Sequence, residues 1–214
     1  MKIDVWSDVV CPWCYLGKRR LEGAVARFAQ RDELTVRWHS FELDPNAPRR
    51  RELPAAEQLA RKYGMTPEQV AANWERLTAL AAAEGLEYHL DRTQGGNTFD
   101  AHRLIHLGDA HGLQDAVQER FMRAYFTESA AIGEPDVLEP LAVEAGLPRD
   151  EVVDVIAGKS FEEAVREDEL LARRYGINGV PFFVFGGRYA VSGAQSADVL
   201  LKALSQAWDE REAA

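Results

Sequence analysis

The sequence predicts an α/β protein whose sheet-forming segments lie at the two ends of the chain, with a large all-helical insertion between them. Three observations carry this. Strand, helix and strand patterns follow one another over residues 3–41, only helical patterns occur over residues 53–176, and strand patterns return at Pro181.

Residues 3–6 are a short apolar run interrupted by Asp4, which reads as a strand. Pro12 stands where a first helical residue is favoured, because its missing N–H costs nothing there. Leu16, Leu21, Val25 and Phe28 carry helical spacing on to about Gln30. Leu34, Val36 and Trp38 then alternate with Thr35, Arg37 and His39, the periodicity of a second strand. Such a strand–helix–strand unit leads to a parallel pair. Residues 44–51, with two prolines and three arginines, mark a loop.

In the helical stretch, Thr66-Pro67-Glu68-Gln69 combines an N-cap, a first-turn proline and a capping-box glutamine. Asn97-Thr98 opens a helix to about Gly112, Leu113 another to about Glu128, and Glu134-Pro135 and Leu147-Pro148 two shorter ones. Ser160, with Glu163 three residues on, is expected to cap a helix ending near Tyr175-Gly176. Residues 181–185 and 188–191 flank Gly186-Gly187, a hairpin pattern. A last helix is expected from Ser196 to Trp208, followed by a frayed acidic tail at residues 209–212. The expected division is residues 1–50 with 160–214 as one discontinuous domain, and residues 51–159 as a helical lid or second lobe.

Composition narrows the function classes. The chain has 214 residues, 28 % of them charged, and a net charge of −10, which argues against the concentrated basic face that nucleic acid requires. No apolar run approaches the roughly 18 residues of a membrane span. Asp4 and Lys18 interrupt what a signal peptide would keep apolar, so the expected compartment is the cytoplasm, where thiols stay reduced.

That makes the two cysteines, in Cys11-Pro12-Trp13-Cys14, the informative pair. A disulfide across so short a loop gives roughly 2 kcal/mol in the chain-entropy picture, little for a domain of this size. Chemistry is the stronger reading. Cys11 falls at a strand-to-helix junction, where orphan amides and the helix dipole favour a thiolate, the form that attacks disulfides. Cys14, one turn on and less exposed, is placed to resolve a mixed disulfide.

Trp6-Ser7-Asp8 leading into this motif, then Asn97-Thr98 with Ala101-His102-Arg103, residues 176–183 (GINGVPFF) and Ser192-Gly193-Ala194-Gln195, span nearly the whole chain. With them the sequence resembles a thioredoxin fold with a helical insertion. It is most similar to the DsbA-type oxidoreductases, and among these to the FrnE-like subfamily, relatives of hydroxychromene-carboxylate isomerases and kappa-class glutathione transferases. The resemblance implies catalysis by Cys11 and Cys14. It also implies a cis proline at Pro181 facing the dithiol, and substrate contacts from Pro12, Trp13, Val180, Pro181, Asn97, Thr98, His102 and Gln195. Amides near Gln195 and Ser196 would hold the carboxylate of glutathione, the candidate co-substrate. No metal and no bound organic cofactor is required, and disulfide- or thiol-containing proteins are the expected partners. The isomerase and transferase relatives carry serine where Cys11 stands, which favours dithiol chemistry here.

Two other readings stay open. One is a glutathione-dependent isomerase or transferase acting on a small organic substrate. The other is a non-catalytic zinc or client-binding module, with His102 and His106 completing a site begun by the cysteines. Otherwise these are ordinary helix residues, and His39, His89 and His111 are expected as strand or surface residues. Asp4 is a candidate proton relay for Cys14, Asp8 a candidate loop cap, and Lys18-Arg19-Arg20 a solvated face.

Overall fold

The computed structural model describes residues 1–212. Ala213 and Ala214, which the expected first domain includes, lie outside the described residues. The chain divides into two compact units, one made of Met1–Leu43 with the chain from Val165 onward, the other of Asp44–Ala164.

In the first unit, β1 (Lys2–Ser7), α1 (Pro12–Ala26) and β2 (Thr35–Ser40) form the parallel strand–helix–strand unit, with Ile3 opposite Val36 and Val5 opposite Trp38. On its other side β1 pairs antiparallel with a strand from the far end of the chain, Phe182–Phe185, Ile3 meeting Phe185 and Trp6 meeting Phe182. That strand turns at Gly186-Gly187, both at positive φ, into Tyr189–Ser192. These two strands are β3 and β4, and the sheet order is β2-β1-β3-β4.

Period-2 alternation divides the side chains between two faces. Ile3, Val5, Trp38, Phe183 and Phe185 meet Leu21, Ala24 and Phe28 of the α1 segment, and Leu200, Leu204 and Trp208 of the C-terminal helix, Ala197–Glu212. On the opposite face Trp6 and Val184 join Ala172 and Ile177 in a smaller apolar cluster.

The second unit is helical among its described residues apart from loops: α2 (Ala55–Tyr63), α3 (Pro67–Ala83), α4 (Phe99–Ala110), α5 (Gln114–Phe126), α6 (Pro135–Glu144) and α7 (Arg149–Ala157). Helices α4 to α7 pack successively on one another. The capping box at Thr66 and Gln69 is formed in both directions. Helix α8 (Glu162–Arg174) leads back to the sheet, and Ala197–Glu212 is α9.

Two expected boundaries move. Ser160 does not cap α8: Phe161 intervenes at φ +64, and the Ser160 carbonyl accepts Arg103 Nε at 2.9 Å, so the helix opens at Glu162. The tail after Trp208 is not frayed, because α9 continues through it and the Arg211 guanidinium lies 3.8 Å from the Trp208 ring centroid.

Leu200 is fully buried on the sheet, whereas its neighbour Val199 is exposed. Leu200→Ala is therefore expected to lower stability by about 2–5 kcal/mol, and Val199→Ala to change it by less than about 0.5 kcal/mol. Urea unfolding midpoints of the two variants check this.

Candidate active site

Helix α1 begins at Pro12, and Cys11 is its N-cap residue in extended backbone (φ −89, ψ 112). The Cys14 and Tyr15 amides donate to the Cys11 carbonyl, and the Cys11 amide donates to the Asp8 carbonyl at 3.1 Å. The Cys11 residue thus stands at the positive end of the α1 dipole, the setting that favours a thiolate. Its Sγ lies 3.6 Å from the carbonyl oxygen of Val180, and the Val180–Pro181 peptide is cis, as the resemblance implied. Pro181 is buried, and Pro12, Trp13 and Val180 are half-buried.

The two sulfurs are unequal. Both are free thiols, Cys11 4 % and Cys14 0 % exposed. Burial pushes the Cys14 thiol well above its ordinary value. The hydrogen bond and charge of Cys11 push the same way, and the Asp8 backbone and Ser7 hydroxyl only partly offset them. Cys14 therefore holds its proton and is the poorer first nucleophile.

Sequence reasoning passed over Gly17, three residues beyond Cys14 in α1. A Cβ there would stand 2.8 Å from Pro181 Cγ and 3.2 Å from Phe183 Cζ, so only glycine lets α1 lie this close to Val180-Pro181. The signal was a glycine inside an otherwise regular helix.

Other residues that the resemblance names are engaged in local contacts or buried. Gln195 donates its backbone amide to the Gly193 carbonyl at 2.8 Å and its side-chain amide to Ser192, so its N–H is not open to a glutathione carboxylate. Asn97 pins a loop of the helical unit: its amide group donates to the Pro45 and Ala47 carbonyls while Oδ1 accepts the Phe99 N–H. These bonds engage both ends of its side chain. Thr98 and His102 are buried at the start of α4 in the same unit.

Lys18 is not part of a solvated face. It is 2 % exposed, pairs with Glu22 and lies 5.9 Å from the Trp38 ring centroid. Asp4 does not serve Cys14: it bonds His39 and Lys2, each at 2.6 Å. His39 is a strand residue but a buried one. Asp8 does cap the loop, its carboxylate accepting the Val10 and Leu43 amides. Among the described residues no group of three or more His, Cys, Asp or Glu side chains could hold a metal ion, and no helix is long and apolar enough to cross a membrane.

A four-stranded sheet with a dithiol at the first strand-to-helix junction, facing a cis proline, defines a thioredoxin-fold protein. The chain belongs to the DSBA-like thioredoxin domain family, which matches residues 2–205. It is similar to a probable DsbA oxidoreductase from Streptomyces coelicolor, with 44 % identity, a TM-score of 0.94, and coverage of 98 % of this chain and 91 % of that one. A 2-hydroxychromene-2-carboxylate isomerase shares the fold at 17 % identity and a TM-score of 0.72, covering 99 % and 98 %. The cytosolic disulfide reductase DsbM from Pseudomonas aeruginosa, solved with GSH, shares it at 19 % and 0.64, covering 100 % and 98 %.

Gly17→Ala is expected to lower stability by about 1–3 kcal/mol through overpacking against Pro181, despite the roughly 1 kcal/mol that alanine gains in helix propensity. Gly23→Ala in the same helix meets only Ala197 Cβ at 3.7 Å, an ordinary contact, and should be neutral or stabilising. Thermal midpoints, with thiol-exchange rates for Gly17→Ala below those of Gly23→Ala, check the pair.

Proposed function

We propose that this protein is a thiol–disulfide oxidoreductase in which Cys11 is the nucleophile and Cys14 the resolving residue. The observation that carries the reading is the inequality of the two sulfurs: one at a helix N-cap, 3.6 Å from the Val180 carbonyl, the other fully buried one turn further on and held protonated. The Cys11 thiolate attacks one sulfur of a substrate disulfide. That S–S bond breaks, its electron pair leaves with the second sulfur as a thiolate, and the first sulfur stays bonded to Cys11. Cys14 then loses its proton to the departing thiolate or to water and attacks Cys11 Sγ. The substrate leaves as a dithiol carrying two electrons, and Cys11 and Cys14 are left as a disulfide. Run backwards, the same steps oxidise a client.

In this reading the Val180 carbonyl accepts the Cys11 thiol only while that thiol keeps its proton, so ionisation frees the sulfur and the edge beside it together. Glutathione is proposed as a small-thiol partner and a cytosolic setting as the place of action. Both are supported by the likeness to a cytosolic reductase solved with GSH. A sulfur as covered as Cys11 favours a small or extended disulfide over a flat protein surface.

Cys14→Ser is expected to accumulate a mixed disulfide on Cys11 that mass spectrometry identifies and dithiothreitol releases. Cys11→Ser should reduce insulin no faster than uncatalysed dithiol. Full insulin reduction by Cys11→Ser overturns the mechanism. Saturable turnover of a small organic substrate with glutathione in Cys14→Ser would move the reading to a transferase.

A further inference from the structure

His39 lies between two carboxylates on the face of the sheet away from α1 and α9. Its Nδ1 is 2.5 Å from Asp168 Oδ1, and its Nε2 is 2.6 Å from Asp4 Oδ1. An ionised carboxylate can only accept, so a ring with a carboxylate oxygen at both nitrogens carries a proton on both. The indole of Trp6 stacks on this imidazolium, centroids 4.5 Å apart and planes within 14°, an arrangement that favours the cation.

The cluster joins three elements: Asp4 and Trp6 from β1, His39 from β2, Asp168 from α8. Asp168 also accepts the Ser40 amide at 2.9 Å, and its carbonyl accepts Trp6 Nε1 at 3.2 Å. Lys2 of β1 is bonded to Asp4, Arg37 of β2 stands opposite Asp4 in the register, and Tyr175, just beyond α8, meets the Trp6 ring edge-on at 5.6 Å. Trp6 is shared with the apolar cluster of Ala172 and Ile177, against which Val180 and Phe182 pack. The Ile177 amide closes on the Ala172 carbonyl at 2.9 Å. A continuous path of contacts therefore runs from His39 to the carbonyl beside Cys11.

We propose that His39, as an imidazolium clamped between Asp4 and Asp168, is a positioning residue that fixes α8, and through it the Val180 carbonyl, against Cys11. The proposal rests on the reading of Cys11 as the reacting sulfur. When His39 loses a proton, one ring nitrogen becomes an acceptor facing a carboxylate acceptor. Where that nitrogen is Nδ1, α8 loses the His39 tie and keeps only the Ser40 amide and the Trp6 indole on Asp168. Burial draws the His39 proton off, but the hydrogen bonds and charges of Asp168 and Asp4 outweigh it and hold His39 above its ordinary value; Asp4 is held below its own. The clamp is thus complete from mildly acid pH up to about 6.5, the ordinary histidine value. It weakens as pH rises from there through the raised value in the folded protein.

The test is the second-order rate of Cys11 with dithionitrobenzoate against pH in the full chain, with circular dichroism at each pH. The wild-type rate should rise with pH, as thiolate attack on a disulfide does, and then fall on an alkaline limb. His39→Gln should lack that limb and react about tenfold more slowly near neutral pH, the scale of a small misplacement of reacting groups. Asp4→Asn removes one of the two anions that hold the proton, so its limb should begin at lower pH; this variant decides the matter if His39→Gln does not fold. Folded His39→Gln with the wild-type profile, or Asp4→Asn with an unmoved limb, overturns the proposal while leaving Cys11 as nucleophile. A wild-type rate that survives Cys11→Ser overturns the underlying reading instead.

Discussion

The Asp8 carboxylate is almost wholly buried and its two oxygens are met by backbone amides, Leu43 Nα at 2.8 Å among them. A charge removed from water must be satisfied by donors or it destabilises the fold, so these amides and the carboxylate hold one another in place. The consequence is geometric. The segment leaving β1 is tied to the segment leaving β2, and the Asp8 carbonyl then receives the Cys11 amide, which sets the entry angle of α1. The N-cap position of the sulfur, the burial of Cys14 one turn later and the approach of Gly17 to Pro181 all inherit that angle. A dithiol on a loose loop would have the same spacing and none of this asymmetry.

Local signals in the sequence identified the elements because those elements rest on local physics. Alternation in Leu34-Thr35-Val36-Arg37-Trp38 marks β2, Gly186-Gly187 supplies the positive φ of the hairpin turn, and Pro12 opens α1. The dithiol was legible for the same reason, since N-cap and one-turn spacing are properties of neighbouring residues. His39 and Asp168 were not: they stand 129 positions apart, and nothing near either announces a partner. Lys18 read as one member of a basic run, although the same helix that exposes part of Arg19 turns Lys18 inward towards Trp38. The tail after Trp208 is polar in sequence, and its support, Arg211 over the indole, is a contact that composition does not announce.

Where local preference and packing disagree, the disagreement marks the site. Glycine is among the poorest helix formers, yet Gly17 sits inside α1 because a close approach to Pro181 outweighs about 1 kcal/mol of propensity. A buried lysine and a buried imidazolium are costly groups in a small sheet domain. Each is kept by partners that bridge separate elements or a buried ring, so the cost is offset by contacts that specify one arrangement.

The pairing of β1 with β3 joins the first strand of the chain to one near its end. During synthesis the dithiol motif leaves the ribosome first, and 169 residues separate Cys11 from the carbonyl that finally stands beside it. The sheet cannot close across its centre until β3 has emerged, and the helical unit is complete before then. A nascent chain therefore carries both thiols before the strand that brings the Val180 carbonyl beside Cys11 exists. The setting of the two sulfurs is completed only in the last stage of folding.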